Sequence, residues 1–275
     1  MGEDGYLLFR GLLERDEVLE ARREVTRRLA EYGFLTPGTD PLDAIAPPRE
    51  AVGAADAGSE TGRSNFMPDL LAEKNAALMR VLYSGPLMEF FESFFGEPAR
   101  HYDFTWFRSI FPGAHGTPPH SDVVYMGRGE RERLYTAWTP IGDIDFDQGG
   151  LVILEGSNRS DALRDGYWKR DVDAYCTNRE DRRDEWQSGL RGNLSQDAAR
   201  VRNGLGGRWV TGEFRAGDVL IFSTYTVHCS IDNHSDRIRL SSDSRYQPAS
   251  KPADERWVGP NPAGHGPAGK RGLIC

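Results

Sequence analysis

Apolar and polar residues alternate along this chain with two different periods. Residues 16–32 repeat apolar side chains at the spacing of an amphipathic helix, with Asp16 as the predicted N-cap. Residues 70–95 carry two further apolar stripes of the same period, which predict two helices. A short apolar run over residues 5–11 precedes the first helix and predicts a buried strand. We therefore expect a set of helices that pack against a sheet.

From residue 100 onward, short β-rich runs replace the helical pattern. Turns that contain Gly and Asp separate these runs. The runs occupy residues 101–111, 123–125, 134–139, 151–154, 209–210, 219–222, 226–228 and 238–241. Many short strands joined by tight turns predict an antiparallel sandwich or barrel.

Two segments interrupt the regular patterns. Residues 36–63 are rich in Gly, Ala, Ser and Pro, so we expect a long loop or lid there. Residues 157–208 are polar, with a few scattered aromatic residues, and strand-like runs resume after them. This second segment is therefore predicted to be a partly helical insertion, a lid over the substrate, within a single domain that covers residues 1–275.

The composition excludes several classes of protein. The 275 residues are 38% hydrophobic and 28% charged, as in ordinary globular proteins, and the net charge of −8 argues against nucleic acid as a partner. No run approaches the roughly 18 apolar residues of a membrane span, and the N-terminus lacks the pattern of a secretory signal. Cys176, Cys229 and Cys275 have no metal-like spacing, which predicts free thiols in a cytoplasmic protein without a membrane partner.

Three His-x-Asp triplets are candidate metal-binding motifs, and they begin at His101, His120 and His234. On an extended strand the first and third residues face the same side, so both side chains can contact one metal ion. The triplet at His234 has the composition of a solvated turn, and the triplet at His101 is typical of a strand cap. Since a Gly/Pro-rich loop leads into His120, we favour His120 and Asp122 as the metal pair.

A triad of two histidines and one carboxylate needs a second imidazole. His228 lies on a predicted apolar strand, where a single histidine is also typical of a core residue, whereas His115 and His265 lie in Gly/Pro-rich segments. Ser230 shares the predicted face of His228, and Arg239 is expected on the adjacent antiparallel strand. A guanidinium beside a metal ion suits a carboxylate ligand, so a triad with Arg239 is equipped to hold 2-oxoglutarate.

With these residues in place, the chain resembles the phytanoyl-CoA dioxygenase (PhyH) family of non-haem iron, 2-oxoglutarate-dependent oxygenases. The resemblance extends over nearly the whole chain. Its blocks are residues 5–13, 107–113, 119–122, 138–143, 149–157, 217–222, 228–230 and 239–246. It implies a mainly β fold, a double-stranded β-helix (jelly roll, cupin-like), with N-terminal helices packed on one sheet.

The resemblance also implies the metal ligands. His120, Asp122 and His228 would hold Fe(II) and form the catalytic centre. Related halogenases have a small residue in place of the carboxylate, so Asp122 favours hydroxylation or another oxidation. The chain has Asn158 where the family often has histidine, but that family residue is not a metal ligand.

Four further residues are implied as contacts of the cosubstrate. Arg239 would bind the 5-carboxylate of 2-oxoglutarate, with Ser230 assisting. Arg237 is a rival, since it is predicted to share the face of Arg239, and only the offset from the distal histidine favours Arg239. Trp138 stands where the family often lines the cosubstrate pocket, although a core tryptophan explains it equally well. Thr105 is a weaker assignment from the strand before the metal loop.

These inferences predict an enzyme that oxidises a C–H bond of a small organic molecule, most simply by hydroxylation. The enzyme would hold Fe(II), consume O₂ and 2-oxoglutarate, and release succinate and CO₂. The protein would be a monomer or a weak homo-oligomer. A zinc hydrolase that uses the same ligands is one alternative, but it leaves Arg239 and Ser230 without a role. A non-catalytic jelly-roll binding protein is another.

Contacts to the substrate are expected from the segments outside the blocks that carry the resemblance. These segments are residues 36–63, 125–128 and 157–208. Arg128 is either a contact for an acidic group of the substrate or an exposed charge.

Overall fold

A computed structural model of the protein describes residues 1–48, 71–178 and 192–274. The strands in these ranges are β1 (Tyr6–Phe9), β2 (Ala99–His101), β3 (Trp106–Ile110), β4 (Tyr135–Pro140), β5 (Leu151–Leu154), β6 (Ala174–Cys176), β7 (Trp209–Val210), β8 (Val219–Ser223), β9 (His228–Ser230), β10 (Arg239–Pro248) and β11 (Arg271–Leu273). The helices are α1 (Arg15–Glu31), α2 (Ala76–Tyr83), α3 (Gly85–Phe95), α4 (Val123–Met126), α5 (Asp161–Asp165) and α6 (Ala198–Leu205). The fold is therefore mainly β with flanking helices, as the sequence predicts.

Strand β10 is the centre of the larger sheet. Its strand order is β1-β8-β4-β10-β2, β3 also pairs with β10, and all of these pairs are antiparallel. Every residue of β10 is buried. Leu240 and Tyr246 join the core beneath the helices. Since side chains alternate along a strand, Arg239, Asp243 and Arg245 lie on the opposite face, inside the β structure.

The predicted helices are confirmed as α1, α2 and α3, which cover one face of the larger sheet. Val18, Val25 and Leu29 of α1 have no exposed surface, as their helical spacing predicts. Phe91 of α3 stacks on Tyr246 of β10 with ring centroids 4.1 Å apart and planes 12° from parallel. None of the helices in the described ranges is long and apolar enough to cross a membrane.

Two local predictions are wrong. Helix α1 begins one residue before Asp16, so Glu14 is the N-cap and Asp16 lies in the first turn, where its charge still favours the helix. Residues 123–125 form helix α4 instead of a strand. The amides of Tyr125 and Met126 both donate to the carbonyl of Asp122, which closes a helical turn directly after the metal motif.

A third correction concerns residues 101–111, which the sequence predicts to be one strand. They form two strands, β2 and β3, and both pair with β10. Between them the amides of Asp103 and Phe104 donate to the carbonyl of Trp257. This contact with the C-terminal tail draws the chain away from β10 for a few residues.

The smaller sheet has the order β7-β5-β9 and carries His228. The prediction that His228 and Arg239 lie on adjacent strands is wrong, since β9 pairs with β5 while β10 belongs to the larger sheet. The two sheets contact each other through an apolar cluster that includes Trp138 of β4 and Ile153 of β5. His228 and Arg239 therefore approach the interior from different sheets.

Both predicted interruptions lie partly outside the described residues. Of residues 36–63, the part up to residue 48 contains a 3-10 turn at Pro41–Asp43 and a β-bridge between Ile45 and Arg237. The described parts of residues 157–208 contain α5, β6 and α6, which agrees with a partly helical segment. Strand β6 pairs in parallel with β11 and so joins this segment to the C-terminal tail.

The cysteines correct another expectation. Cys176 is disulfide-bonded, so the prediction of free thiols is wrong for this residue. Cys229 is a free, buried thiol, and burial raises its pKa to about 12. Cys229 is therefore protonated at neutral pH and behaves as a small apolar core residue.

Replacement of Phe91 by alanine tests how much the helical layer stabilises the sheet. Phe91→Ala removes a fully buried ring that stacks on Tyr246, so we expect the free energy of unfolding to fall by about 3–5 kcal/mol. Urea denaturation followed by circular dichroism measures the change. Phe146→Ala is the control, because Phe146 is 57% exposed and its loss is expected to change stability by less than about 0.5 kcal/mol. Equal effects of the two substitutions would contradict this packing.

Candidate metal centre and substrate cavity

A backbone bridge brings the two predicted histidine ligands together. His120 and His228 are partners in an isolated antiparallel bridge, and each amide donates to the other's carbonyl at 3.0 and 2.9 Å. Asp122 follows as the N-cap of α4 with φ −62° and ψ −26°. The side chains of His120 and Asp122 therefore converge because the chain turns into a helix there, not because they alternate along a strand.

The three side chains form a compact buried cluster. One ligand atom from each of His120, Asp122 and His228 lies within 4.8 Å of the others. The Nε2 atoms of both histidines are 3.8 Å from Oδ1 of Asp122. It is the only such group of three potential ligands in the part of the chain that the structure describes. Of the other His-x-Asp triplets, His101 stacks on Tyr83 instead.

Local hydrogen bonds fix the tautomer of each histidine. Nδ1 of His120 donates to the carbonyl of Pro118 at 2.8 Å, and Nδ1 of His228 donates to the carbonyl of Thr226 at 3.1 Å. Since a carbonyl only accepts, each Nδ1 carries the proton and each Nε2 presents a lone pair to the cluster. Burial, together with the neighbouring His228, lowers the pKa of His120 to about 3, and burial also lowers the pKa of His228. Both rings are therefore neutral, as a metal ligand must be.

Hydrogen bonds to the second oxygen of Asp122 keep its carboxylate in the charged form. Oδ2 accepts hydrogen bonds from Thr136 Oγ1 at 2.5 Å and from the Arg245 guanidinium at 2.9 Å. Burial by itself would raise the pKa of Asp122, but the positive charge of Arg245, together with the hydrogen bond from Thr136, holds it well below its usual range. Oδ1 remains directed at the imidazoles. Two neutral imidazoles and one carboxylate are the donor set of a non-haem Fe(II) site.

Arg239 is a buried cation whose charge has no carboxylate in contact with it among the described residues. Its guanidinium donates to the carbonyl of Gly149, while Nε has no hydrogen-bond partner there. Burial and the nearby charge of Arg108 lower the pKa of Arg239 to about 10. Ser241, two residues on and on the same strand face, also has a buried hydroxyl without a partner in the described ranges. These unsatisfied donors fit a site that takes a carboxylate.

The other predicted cosubstrate residues lie in three different environments. Ser230 Oγ accepts the amide of Thr117 at 2.8 Å, at the base of the metal loop. Trp138 is buried between the sheets, where it packs on Phe214 with ring centroids 4.7 Å apart. Thr105 donates to or accepts from the hydroxyl of Tyr83 on α2 and is not part of the cavity wall.

The two rival arginines are separated by their exposure. Arg237 is exposed, whereas Arg239 is only 1% exposed. Arg237 precedes β10 and pairs with Ile45 in an isolated bridge. Of the two, only Arg239 reaches the interior.

A cavity of about 360 Å³ opens directly onto the triad. His120 and Asp122 form part of its wall, as does Tyr125 from the segment expected to contact substrate. Asn193 also lines it, from the segment 157–208 that was expected to contact substrate, and Trp106, Arg108, Arg245 and His265 line it although sequence reasoning did not place them at the site. The alternation of β10 was the available signal for Arg245, because it places Arg245 on the same face as Arg239.

Arg128 does not line this cavity. Its Nε donates to Asp171 at 2.7 Å, and its terminal nitrogen donates to the carbonyl of Gly269 at 2.7 Å. Arg128 is therefore not a free surface charge, and it joins the inserted segment to the C-terminal tail.

Comparison with known proteins places the chain in a family. The Phytanoyl-CoA dioxygenase (PhyH) profile matches residues 1–241. The chain belongs to the phytanoyl-CoA dioxygenase family. This protein is accordingly a non-haem iron and 2-oxoglutarate-dependent oxygenase, and the zinc hydrolase and binding-protein alternatives are not favoured.

Relatives within this group include two bacterial hydroxylases. The 1-deoxypentalenic acid 11-beta-hydroxylase of Streptomyces exfoliatus is 26% identical over 258 residues, which cover 90% of this chain and 79% of the relative. The enzyme of the same name from Streptomyces arenae is also 26% identical, over 259 residues with the same coverage. The likeness therefore extends over nine tenths of this chain.

Two solved structures share the fold of this PhyH-family chain. The non-haem alpha-ketoglutarate-dependent epimerase SnoN from nogalamycin biosynthesis superposes with a TM-score of 0.61 at 19% identity, over 94% of this chain and 88% of SnoN. EctD from S. alaskensis, solved with 2-oxoglutarate and 5-hydroxyectoine, gives a TM-score of 0.56 at 15% identity, over 98% and 82% of the two chains.

The contact between Thr136 and Asp122 allows a test of the metal centre. Thr136→Val keeps the shape of the side chain but removes the hydrogen bond to Oδ2, so we expect affinity for Co(II) to fall by about 10–100-fold. Titration of the Co(II) absorption bands measures the affinity. Thr139→Val is a matched control on the same strand, since the Thr139 hydroxyl is buried without a partner in the described ranges. Similar losses in both variants would contradict a specific role for Thr136.

Proposed function

We propose that His120, Asp122 and His228 hold Fe(II) in this PhyH-family enzyme, which hydroxylates a C–H bond of a small organic molecule bound in the adjacent cavity. The observation that supports this most is the convergence of two neutral imidazoles and one charged carboxylate within 4.8 Å, with His120 and Asp122 in the wall of the cavity. With 2-oxoglutarate bound, the iron would supply O₂ activation, with release of succinate and CO₂. Hydroxylation is favoured over other oxidations because relatives at 26% identity are hydroxylases.

We infer that the sheets form a double-stranded β-helix within one domain over residues 1–275. The packing of the larger and smaller sheets through a shared apolar cluster supports this arrangement. Residues 157–208 would act as a lid, since Asn193 reaches the cavity wall from that segment. Residues 36–63 would be a second loop or lid.

The protein's own residues would prepare the site before any ligand binds. The Pro118 and Thr226 carbonyls hold both imidazoles in one orientation, and Thr136 with Arg245 holds the carboxylate. None of these contacts requires a metal ion, so the site is preorganised and loses little entropy on binding. Burial of the triad excludes bulk water from the reacting centre.

Arg239 would bind the distal carboxylate of 2-oxoglutarate, with Ser230 assisting and Trp138 forming an apolar wall. The buried guanidinium with its unsatisfied Nε supports this role, because an anion would compensate the desolvated charge. Ser241 offers a further donor on the same strand face. Thr105 is left out of this assignment, since its hydroxyl pairs with Tyr83.

Anaerobic titration with Fe(II) and 2-oxoglutarate tests the proposed function. We expect a metal-to-ligand absorption band in the visible range and, on admission of air, formation of succinate. His228→Ala removes one of three ligands and is expected to abolish both signals. Tight zinc in a protein that forms neither the band nor succinate would instead favour a hydrolase.

Substitution of the two rival arginines tests the cosubstrate site. Arg239→Gln removes the buried charge, and we expect 2-oxoglutarate to bind about 10–100-fold more weakly, since a hydrogen bond to a charged group contributes about 1.5–3 kcal/mol. Isothermal titration with 2-oxoglutarate on the Zn(II)-loaded protein measures the binding. Arg237→Gln is the control, because Arg237 is exposed. This variant is expected to bind 2-oxoglutarate with unchanged affinity. Weaker binding in Arg237→Gln alone would reverse the assignment.

A further inference from the structure

Arg108 presents a second guanidinium to the interior, in the wall of the cavity. It lies on β3, where Phe107 packs into the core beneath the helices and Arg108 faces the opposite way. Its Nε donates to Oδ2 of Asp243 at 2.5 Å. Its two terminal nitrogens have no hydrogen-bond partner among the described residues, and the side chain remains 21% exposed. The free end of the guanidinium therefore points towards the space that a ligand would fill.

The charges around the cavity favour an anion at this place. Among the described residues, its wall contains two arginines, three histidines and a single carboxylate, that of Asp122. Asp122 accepts a hydrogen bond from Arg245 and belongs to the triad, and Asp243 is not part of the wall. The cationic end of Arg108 consequently meets no free carboxylate in the cavity. Two parallel N–H groups at the end of a guanidinium are suited to bind a carboxylate in a bidentate manner.

Other parts of the wall are apolar. Trp106, Ile110 and Met126 line the same cavity, and the indole of Trp106 lies 4.3 Å from the Arg245 guanidinium, which it shields. A volume of about 360 Å³ suits a ligand of modest size. The cavity thus combines an apolar surface with one cationic anchor near the triad.

We propose that Arg108 is a carboxylate receptor for the substrate, so that the enzyme acts on small organic acids with an apolar body. This inference rests on the proposed oxygenase function and adds the substrate class to it. The anchor would place the apolar body against Trp106 and Ile110, and it would set which C–H bond faces the triad. A carboxylate of 2-oxoglutarate has the same chemistry as a substrate carboxylate, so a test has to separate the two sources.

Asp243 determines how the test is designed. Loss of Arg108 alone would leave the buried Asp243 carboxylate without that partner, which destabilises a folded protein strongly. Asp243→Asn keeps an acceptor for Nε and removes the competing negative charge. The informative comparison is therefore between Asp243→Asn, with Arg108 present, and the double variant Arg108→Gln with Asp243→Asn.

Matched fragments can report the anchor without catalysis. Cyclohexanecarboxylate and cyclohexanecarboxamide have nearly the same shape and differ in charge. Their binding to the Zn(II)-loaded protein with saturating 2-oxoglutarate would be measured by ligand-observed NMR. We expect the acid to bind the native protein about tenfold or more tightly than the amide, and Asp243→Asn to strengthen acid binding. We expect the double variant to lose the preference and yet to bind 2-oxoglutarate as the native protein does.

Several outcomes would overturn the proposal. These are equal binding of acid and amide to the native protein, no binding of either fragment, or a preference that survives in the double variant. If the acid binds only when 2-oxoglutarate is absent, and the double variant loses 2-oxoglutarate as Arg239→Gln does, Arg108 serves the cosubstrate and the proposal is wrong. Arg15→Gln, which breaks an exposed ion pair with Asp143, is the control and is expected to change nothing. Failure of the native protein to form succinate would count against the oxygenase function, whereas the preference for the acid is measured independently.

Discussion

The backbone bridge between His120 and His228 is the contact on which the site depends. Two reciprocal N–H···O=C bonds fix the separation of the two residues, and their rings lie with centroids 4.2 Å apart. Because β9 belongs to the smaller sheet and Asp122 is held by residues of the larger sheet, the orientation of the Asp122 carboxylate towards the two imidazoles depends on both sheets. Loss of packing between the sheets would therefore separate Asp122 from Thr136 and Arg245, which hold its carboxylate. Stability of the core and integrity of the metal centre are in this way coupled.

Strand β10 connects that centre to the rest of the molecule through buried charges. Arg245 pairs with Asp122, Asp243 pairs with Arg108, and Arg239 has no carboxylate partner among the described residues. Removing such groups from water costs free energy that a single pair does not always restore. The apolar contacts on the other face of β10, including the stack of Phe91 on Tyr246, offset this cost. The helical layer can therefore be understood as the support that allows a charged interior.

The sequence predicts those features that depend on local periodicity. Helices α1 to α3 and most of the strands follow from apolar spacing, and His120, Asp122 and His228 are brought together as expected. Features that depend on pairing over long distances were not predictable in the same way. Apolar runs such as residues 123–125 fit a strand or a helix, and the hydrogen bonds to the Asp122 carbonyl decide for the helix. Arg108 was missed because only the fold shows that β3 lies beside β10.

The same alternation that makes β10 a good strand also encodes its chemistry. Leu240 and Tyr246, at even-numbered positions of the strand, face the helices. Arg239, Asp243 and Arg245, at odd-numbered positions, face the interior. A shift of one residue in the pairing with β4 would place charges beneath the helices and apolar side chains at the metal. Such a shift would lose apolar burial and charge pairing together, so the correct register is favoured from both faces. The residues that serve the reaction therefore also specify the register of the strand that carries them.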